Sequence, residues 1–234
     1  MQINNASKRI KISFIFIIIV FPILLLLYTL YDNRNYALIS IVFVMLAMIP
    51  FFMIYEMKKP QAREWIPLAV MAAIAAVGRV AFAPIPHFKP TSAIIIITSV
   101  VFGPEAGFLT GAVSAISSNI FFGQGPWTPW QMFCWGAIGF GAGYLSKKNI
   151  LNKKWKLCVY GALSGFFFGW VMNIWAATGF INQFSWKAFF ALYISSFWFD
   201  FIHAAATVIF LYILSDSWIA KLERVKIKYG LVER

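Results

Sequence analysis

The sequence predicts an all-α protein that crosses a membrane several times. Of its 234 residues, 61% are hydrophobic, 19% are aromatic and only 12% are charged, which is far from the composition of an average globular domain. The apolar residues form long segments, and the charged residues lie in short clusters between them. Although the formal net charge is +12, this clustering is typical of membrane-protein loops and argues against nucleic-acid binding.

Eight apolar segments are candidate transmembrane helices, at residues 12–31, 36–55, 65–83, 91–102, 106–121, 130–146, 156–177 and 187–213. A helix of about 20 residues is long enough to cross the roughly 30 Å hydrocarbon core. The first segment follows a basic cluster, and no small-residue cleavage site follows it. We therefore expect a retained helix rather than a signal peptide.

The basic residues predict the orientation of these segments. If all eight cross the membrane, both termini lie on the same side, together with sixteen of the twenty lysines and arginines. The positive-inside rule then places both termini in the cytoplasm. The loops at 84–90, 122–130 and 178–186 are predicted to lie outside. The basic tail, 215–234, is expected to lie along the inner face of the membrane.

The fourth and fifth segments leave two arrangements open. Residues 91–102 form a helix of only about 18 Å, which is shorter than the hydrocarbon core. Segments 91–102 and 106–121 can be two crossings or a re-entrant pair, because both arrangements give the same loop charges. We expect two crossings.

An aromatic loop separates segments 106–121 and 130–146. Its sequence is Phe-Phe-Gly-Gln-Gly-Pro-Trp-Thr-Pro-Trp-Gln-Met, at residues 121–132. Prolines and glycines define its backbone, while Gln124, Trp127, Trp130 and Gln131 offer amide groups and flat rings. We expect these four side chains to contact a ligand, although tryptophans at this depth also form ordinary interfacial belts.

Small residues recur every four positions on two helices. One stripe runs from Gly103 through Gly111 to Asn119, and the other runs from Gly161 through Gly169 to Asn173. Such glycines favour close helix packing in lipid. The two asparagines lie near the predicted outer ends of their helices. They either form the polar floor of an outward-facing pocket or hydrogen-bond to neighbouring helices.

Ionisable residues inside predicted spans are few, and each suggests a role. Arg79 either pairs with Asp200 or contacts the substrate, and Asp200 with His203 is a possible proton relay. No Gly-x4-Gly-Lys-Ser/Thr, His-Glu-x-x-His or Gly-x-Ser-x-Gly sequence occurs, so we expect no enzymatic activity. Cys134 and Cys158 lack the spacing of a metal or disulfide motif.

Four stretches carry a resemblance to a known family. They are Ala-Val-Met-Ala-Ala-Ile-Ala-Ala-Val-Gly-Arg at 69–79, Phe-Lys-Pro at 88–90, Gly-Phe-Leu-Thr-Gly-Ala at 107–112 and Ser-Asn-Ile-Phe-Phe-Gly-Gln-Gly-Pro-Trp-Thr-Pro-Trp-Gln-Met at 118–132. The chain resembles the S component, the substrate-binding subunit, of energy-coupling factor (ECF) vitamin transporters. The resemblance covers about residues 65–214 and looks most like the cobalamin type.

The resemblance implies a six-helix substrate-binding core at 61–214, preceded by two extra transmembrane helices in 1–60 and followed by the tail. It implies a subunit of the cell membrane that captures a vitamin outside and docks on a transmembrane T component with two cytoplasmic ATPases. No cofactor of its own is expected. The candidate substrate-binding residues are Arg79, Phe88, Lys89, Asn119, Gln124, Trp127, Trp130, Gln131 and Asn173. The alanine-rich helix corresponds to the family's docking helix, with candidate docking residues Ala69, Ala72, Ala73 and Ala76.

Several alternatives remain open at this point. A pocket of tryptophan, phenylalanine and amide side chains suits a large, mostly uncharged ligand, so a flavin or a modified nucleobase is an alternative to cobalamin. A self-sufficient transporter driven by an ion gradient is a second reading, for which Asp200 and His203 are the candidate ion site. A membrane scaffold without a ligand is a third. The two extra helices either shield the docking helix, stabilise the core or contact lipid only.

Overall fold

The computed structural model describes residues 36–57, 62–180 and 185–231, and these residues form helices without strands. The seven helices are α1 (Tyr36–Met57), α2 (Ala62–Ala81), α3 (Thr91–Phe102), α4 (Pro104–Phe122), α5 (Thr128–Lys147), α6 (Lys154–Phe180) and α7 (Trp186–Lys228). They correspond to seven of the eight predicted segments. The predicted segment 12–31 lies outside the described residues.

Helix α3 lies at the centre of the bundle. Ten of its twelve residues are buried, and it contacts α2, α4, α5, α6 and α7. Hydrogen bonds tie its polar side chains to neighbouring backbones: Thr91 Oγ1 donates to the carbonyl oxygen of Ala75 at 3.3 Å, and Ser99 Oγ donates to that of Gly139. Because protein rather than lipid surrounds α3, its length need not match the bilayer.

Helices α3 and α4 are joined directly at Gly103. This glycine has φ = 94°, a conformation that glycine adopts without steric penalty. The turn lies level with the end of α5, since Ser146 Oγ lies 3.5 Å from the carbonyl oxygen of Val100. Helix α3 therefore reaches the same end of the bundle as α5, which favours two crossings over a re-entrant pair.

The predicted glycine stripes pack helices together, as the sequence indicated. A β-carbon on Gly107 would lie 2.7 Å from the carbonyl oxygen of Gly139, and one on Gly165 would lie 2.5 Å from Cα of Ala204. The backbones of α4 and α5, and those of α6 and α7, are in direct contact at these points. No larger residue fits there without displacing a helix.

Helix α1, the second of the two extra helices, packs on α4 and α5. The ring of Phe51 stacks on Phe108 with centroids 3.8 Å apart and meets Phe140 edge-on at 5.1 Å. Near its end, Tyr55 contacts Trp65 at the start of α2. This helix therefore extends the core.

Helix α7 is longer than the sequence predicted. We expected the last apolar segment to end near residue 213, but the helix continues to Lys228. In the part of the helix beyond residue 213, Leu214, Trp218 and Leu222 pack against the main core cluster. Lys226 Nζ donates to the carbonyl oxygen of Val101 at 2.7 Å. An ion pair between Lys154 and Asp216, at 2.7 Å, joins α6 to the same extension.

Three segments of the described chain are long and apolar enough to cross a membrane, namely Arg63–Ala81, Lys154–Ala177 and Trp186–Lys228. The helices between them are shorter or richer in glycine, serine and threonine. Of these, α3 lies in the interior, whereas α4 also exposes apolar side chains such as Val113 and Ile120.

Candidate functional site

Most of the candidate binding residues lie at one end of the bundle. We call it the loop end, and define it by the α2–α3 loop (82–90) and the α4–α5 loop (123–127). Five side chains there form a connected set of hydrogen bonds, which we call the donor network: Arg79, Ser118, Asn119, Thr128 and Gln131. Helices α2, α4 and α5 each supply part of it.

Arg79 lies in the last turn of α2, and its guanidinium joins α2 to α4. Its Nη1 donates to Ser118 Oγ at 2.6 Å and to Asn119 Oδ1 at 2.7 Å. The same guanidinium lies over two aromatic rings, 4.7 Å from the centroid of Phe122 and 4.9 Å from that of Trp135. Such cation–π contacts hold the planar group in a defined orientation.

The expected ion pair between Arg79 and Asp200 is wrong. Asp200 is buried on α7, where its Oδ2 accepts a hydrogen bond from Ser196 at 3.3 Å. Its carboxylate also lies directly against Gly169 of α6. The sequence showed that both charged groups lie inside predicted spans, but it could not show that different helix pairs enclose them.

Asn119 is the fully buried centre of the donor network. Its Oδ1 accepts from Arg79, and its Nδ2 donates to Thr128 Oγ1 at 3.0 Å and to Gln131 Oε1 at 2.8 Å. Every polar atom of its amide group therefore has a partner within the protein. Asn119 positions its neighbours, and Arg79 and Gln131, which are only half-buried, form the accessible edge.

The aromatic loop is held by side-chain hydrogen bonds. Gln124 Nε2 donates to the carbonyl oxygen of Ile116 at 2.8 Å, while its Oε1 accepts from Thr128 at 3.0 Å. The amide of Gly125 donates to the same Thr128 hydroxyl. Gln124, predicted to contact a ligand, therefore uses both ends of its amide to fix the loop.

The two loop tryptophans point toward α6. Trp127 meets Trp175 edge-on with centroids 5.9 Å apart. Trp130 is 4% exposed and packs with Val171 and Met172. Its Nε1 is buried and has no hydrogen-bond partner among the described residues, which is unusual for a buried indole.

Asn173 does not join Asn119. Its Nδ2 donates to Ser196 Oγ at 2.6 Å, which links α6 to α7. Among the described residues the two asparagines share no partner. For Asn173 the structure therefore contains a hydrogen bond to a neighbouring helix, and not a pocket floor shared with Asn119.

Phe88 and Lys89 lie in a separate aromatic cluster. The ring of Phe88 packs on Phe82 and Phe210, with centroids 6.2 and 5.4 Å away. Lys89 Nζ donates to the carbonyl oxygens of Phe82 and Ile85. Partial burial and the nearby charge of Arg79 lower the pKa of Lys89. Lys89 thus ties the α2–α3 loop together beside the donor network.

Three of the residues that surround Arg79 were not among the candidates from the sequence: Ser118, Phe122 and Trp135. Ser118 and Phe122 follow the same helix face as Asn119, and Trp135 lies one turn beyond Gln131. Trp135 Nε1 donates to Ser92 Oγ at 3.1 Å, and that hydroxyl lies 2.8 Å from His203 Nε2. The spacing 128, 131 and 135 on α5 was a usable signal, because these positions share one helix face.

The family is decided by comparison of the sequence with known proteins. The family profile for the ECF-type riboflavin transporter, S component, matches residues 60–221, which is well over half of the chain. The chain belongs to this family of S components. It is therefore a multi-pass membrane protein, and the family is one of transporter subunits rather than enzymes.

Curated relatives of this S component are bacterial UPF0397 proteins. One from Vibrio atlanticus (strain LGP32) is 31% identical over 117 residues, 44% of this chain and 64% of the relative. Another, from Aliivibrio salmonicida (strain LFI1238), is 32% identical over 97 residues, 38% of this chain and 52% of the relative. The match therefore spans less than two thirds of either relative's length. No solved structure matches the chain.

The candidate docking alanines of this S component divide between two faces of α2. Ala69 and Ala73 are exposed, beside Val70 and Val77. Ala72 and Ala76 are only 1% and 4% exposed, and the carbonyl oxygen of Ala72 lies 3.4 Å from Ser114 Oγ of α4. Ala72 and Ala76 therefore pack inside the subunit, and docking through Ala69 and Ala73 stays a prediction.

Other chemistry has little support in the described part of this S component. Cys134 is buried and Cys158 half-buried, and both are free thiols. No group of three or more metal-ligating side chains occurs within the described ranges. Asp200 and His203, the candidate ion site, bond to different partners, Ser196 and Ser92.

Proposed function

We propose that this chain captures a vitamin at the loop end and delivers it to an ATP-driven ECF importer. The observation that carries the proposal is the half-buried edge of the donor network, formed by Arg79 and Gln131. Ordered donors beside aromatic rings are the usual lining of a small-molecule site. Family membership supports the same conclusion.

Energy for transport comes from other subunits in this proposal. The sequence has no P-loop, so ATP hydrolysis belongs to two cytoplasmic ATPases bound to a transmembrane T component. The exposed face of α2, with Ala69 and Ala73, is the proposed docking surface for the T component. Small side chains there allow a partner helix to approach closely.

Cobalamin is the ligand that we propose first, because the motifs of the aromatic loop resemble the cobalamin type. Riboflavin is the second candidate, because the matching family is described by that vitamin. The two ligands differ in size and in functional groups, so binding assays separate them. A vitamin at a thousandfold excess over its Kd should raise the free energy of unfolding by roughly 4 kcal/mol.

Reconstitution into proteoliposomes tests the proposal. We expect uptake of labelled cobalamin or riboflavin only when the T component, both ATPases and internal ATP are present. The matched control contains this chain alone with a proton or sodium gradient. Uptake in that control would contradict the proposal and establish a self-sufficient secondary transporter.

A further inference from the structure

The donor network has a direction that starts at Arg79. A guanidinium can only donate hydrogen bonds, so the amide oxygen of Asn119 must face it. The amide nitrogen of Asn119 must then face Gln131, which accepts through Oε1 at 2.8 Å. Consequently, the Nε2 group of Gln131 points away from the network. The arginine thus fixes the orientation of both amides.

The polar atoms left unused at this edge are all donors. Within the described residues, Nε and Nη2 of Arg79 and Nε2 of Gln131 have no hydrogen-bond partner. Trp130 Nε1 also lacks a partner, but its side chain is 4% exposed and packs against α6, so it is not counted in this edge. A ligand that satisfies this edge must supply acceptors.

The charged groups around this edge are positive, which also favours a ligand that supplies acceptors. Lys89 lies close enough to Arg79 that the arginine, after burial, lowers its pKa. Asp200, the buried carboxylate of α7, bonds to Ser196 instead. No carboxylate of the described residues pairs with Arg79. A partly buried cation without a counter-ion is costly, and an anionic ligand removes that cost.

We propose that the ligand presents an oxyanion, a carboxylate or phosphate group, to the free donors of Arg79 and Gln131. This inference rests on the proposed function and specifies the chemistry of its ligand. The guanidinium, held between Phe122 and Trp135, offers the flat pair of N–H groups that such anions bind. The expectation of a mostly uncharged ligand is thereby narrowed to one with an anionic group, such as the phosphodiester of cobalamin.

Matched ligand pairs test the inference on the purified full chain in detergent. In three pairs the members differ only at an oxyanion: flavin mononucleotide and riboflavin, pantothenate and pantothenol, biotin and its amide. A fourth pair, cobalamin and cobinamide, differs in the phosphodiester together with the ribose and the base that it carries. By isothermal titration, the vitamin that binds should do so about 10- to 100-fold more tightly than its partner without the anion. Equal affinity for the two members of that pair would overturn the inference.

Two variants assign the effect to the network. Arg79→Met should abolish the preference for the oxyanion, whereas Lys187→Met, which removes an exposed cation at the same end, should retain it. Because Arg79→Met also removes structural hydrogen bonds, Gln131→Glu provides a second test that leaves the arginine in place. It replaces a free donor by an acceptor and should weaken oxyanion binding at least about tenfold. Unchanged binding in Gln131→Glu would overturn the assignment.

The outcomes separate this inference from the proposed function. Tight binding of a neutral vitamin, independent of Arg79, would refute the oxyanion and leave vitamin capture intact. If none of these vitamins binds and no small molecule co-purifies, vitamin capture itself fails, and the inference fails with it.

Discussion

Asn119 is the single residue that connects Arg79 on α2 to the aromatic loop and α5. Its amide uses every polar atom inside the protein, so its contribution to binding is the positioning of Arg79 and Gln131. The loss of one partner from such a network leaves the other polar groups buried without hydrogen bonds.

We therefore predict that Asn119→Ala reduces vitamin affinity at least about tenfold and destabilises the protein by about 1–3 kcal/mol. The matched variant is Asn173→Ala, which removes the other buried asparagine and its bond to Ser196. The Asn173→Ala substitution should lower stability by about 1 kcal/mol without changing vitamin affinity. Titration calorimetry and thermal unfolding measure the two quantities. Loss of affinity in Asn173→Ala would return that residue to the ligand site.

For single residues, the sequence predicted which side chains take part in the site better than it predicted their partners. Arg79 was selected as a rare charge in a span, Asn119 from its helix stripe and Gln131 from the aromatic loop, and the structure joins all three. The partner of Arg79 was predicted wrongly, because helical periodicity shows which residues share a face but not which neighbouring helix meets that face. Asn173 was on the same kind of stripe as Asn119, yet its helix faces α7.

Among the elements, α4 and α5 depend on direct backbone contact. A β-carbon on Gly107 would lie 2.7 Å from the carbonyl oxygen of Gly139 on α5 and 2.5 Å from Cβ of Ser99 on α3, and neither atom can move unless its helix shifts. We predict that Gly107→Ala lowers the free energy of unfolding by about 1–3 kcal/mol and separates the two helices that support the donor network. Thermal unfolding in detergent measures the loss.

Val113, which is 40% exposed on the same helix, provides the control. The Val113→Ala variant removes a side chain from the lipid-facing surface and should change stability by less than about 0.5 kcal/mol. If Gly107→Ala were as stable as Val113→Ala, close contact between α4 and α5 would not support the site.

Helix α2 presents two different alanine faces, and its docking role follows from this division. Leucines at Ala69 and Ala73 should prevent co-purification with the T component and ATPases while vitamin affinity stays normal, because bulky side chains hold helices apart. Leucines at Ala72 and Ala76 should instead destabilise the isolated subunit, since both positions are buried. Normal assembly of the Ala69 and Ala73 variant would exclude this face.

Most of the element boundaries were predictable from hydropathy, and the exceptions have a physical cause. The described helices match the predicted segments because long apolar runs in lipid must be helical. The end of α7 was missed, because its last turns carry many charges and resemble a solvated tail. Leu214, Trp218 and Leu222 nevertheless continue the buried face of the helix, so the core extends past the apolar segment.

The donor network and the basic loop lie at opposite ends of the molecule. The donor network lies at the loop end, and the basic loop around Lys153 lies at the other end. The positive-inside rule predicts that the loop end faces outward. A membrane-impermeant maleimide should therefore label Pro126→Cys in intact cells and leave Lys153→Cys unlabelled until the cells are lysed. The unsubstituted chain, with buried Cys134 and half-buried Cys158, is the control, and the reverse labelling would invert the orientation.

Mass spectrometry of small molecules that co-purify with the detergent-solubilised chain tests vitamin capture most directly. We expect one vitamin, bearing an oxyanion, in the wild-type sample and its loss from the Asn119→Ala and Arg79→Met samples. A chain that retains no compound, and whose unfolding temperature no vitamin raises, would contradict capture at the donor network.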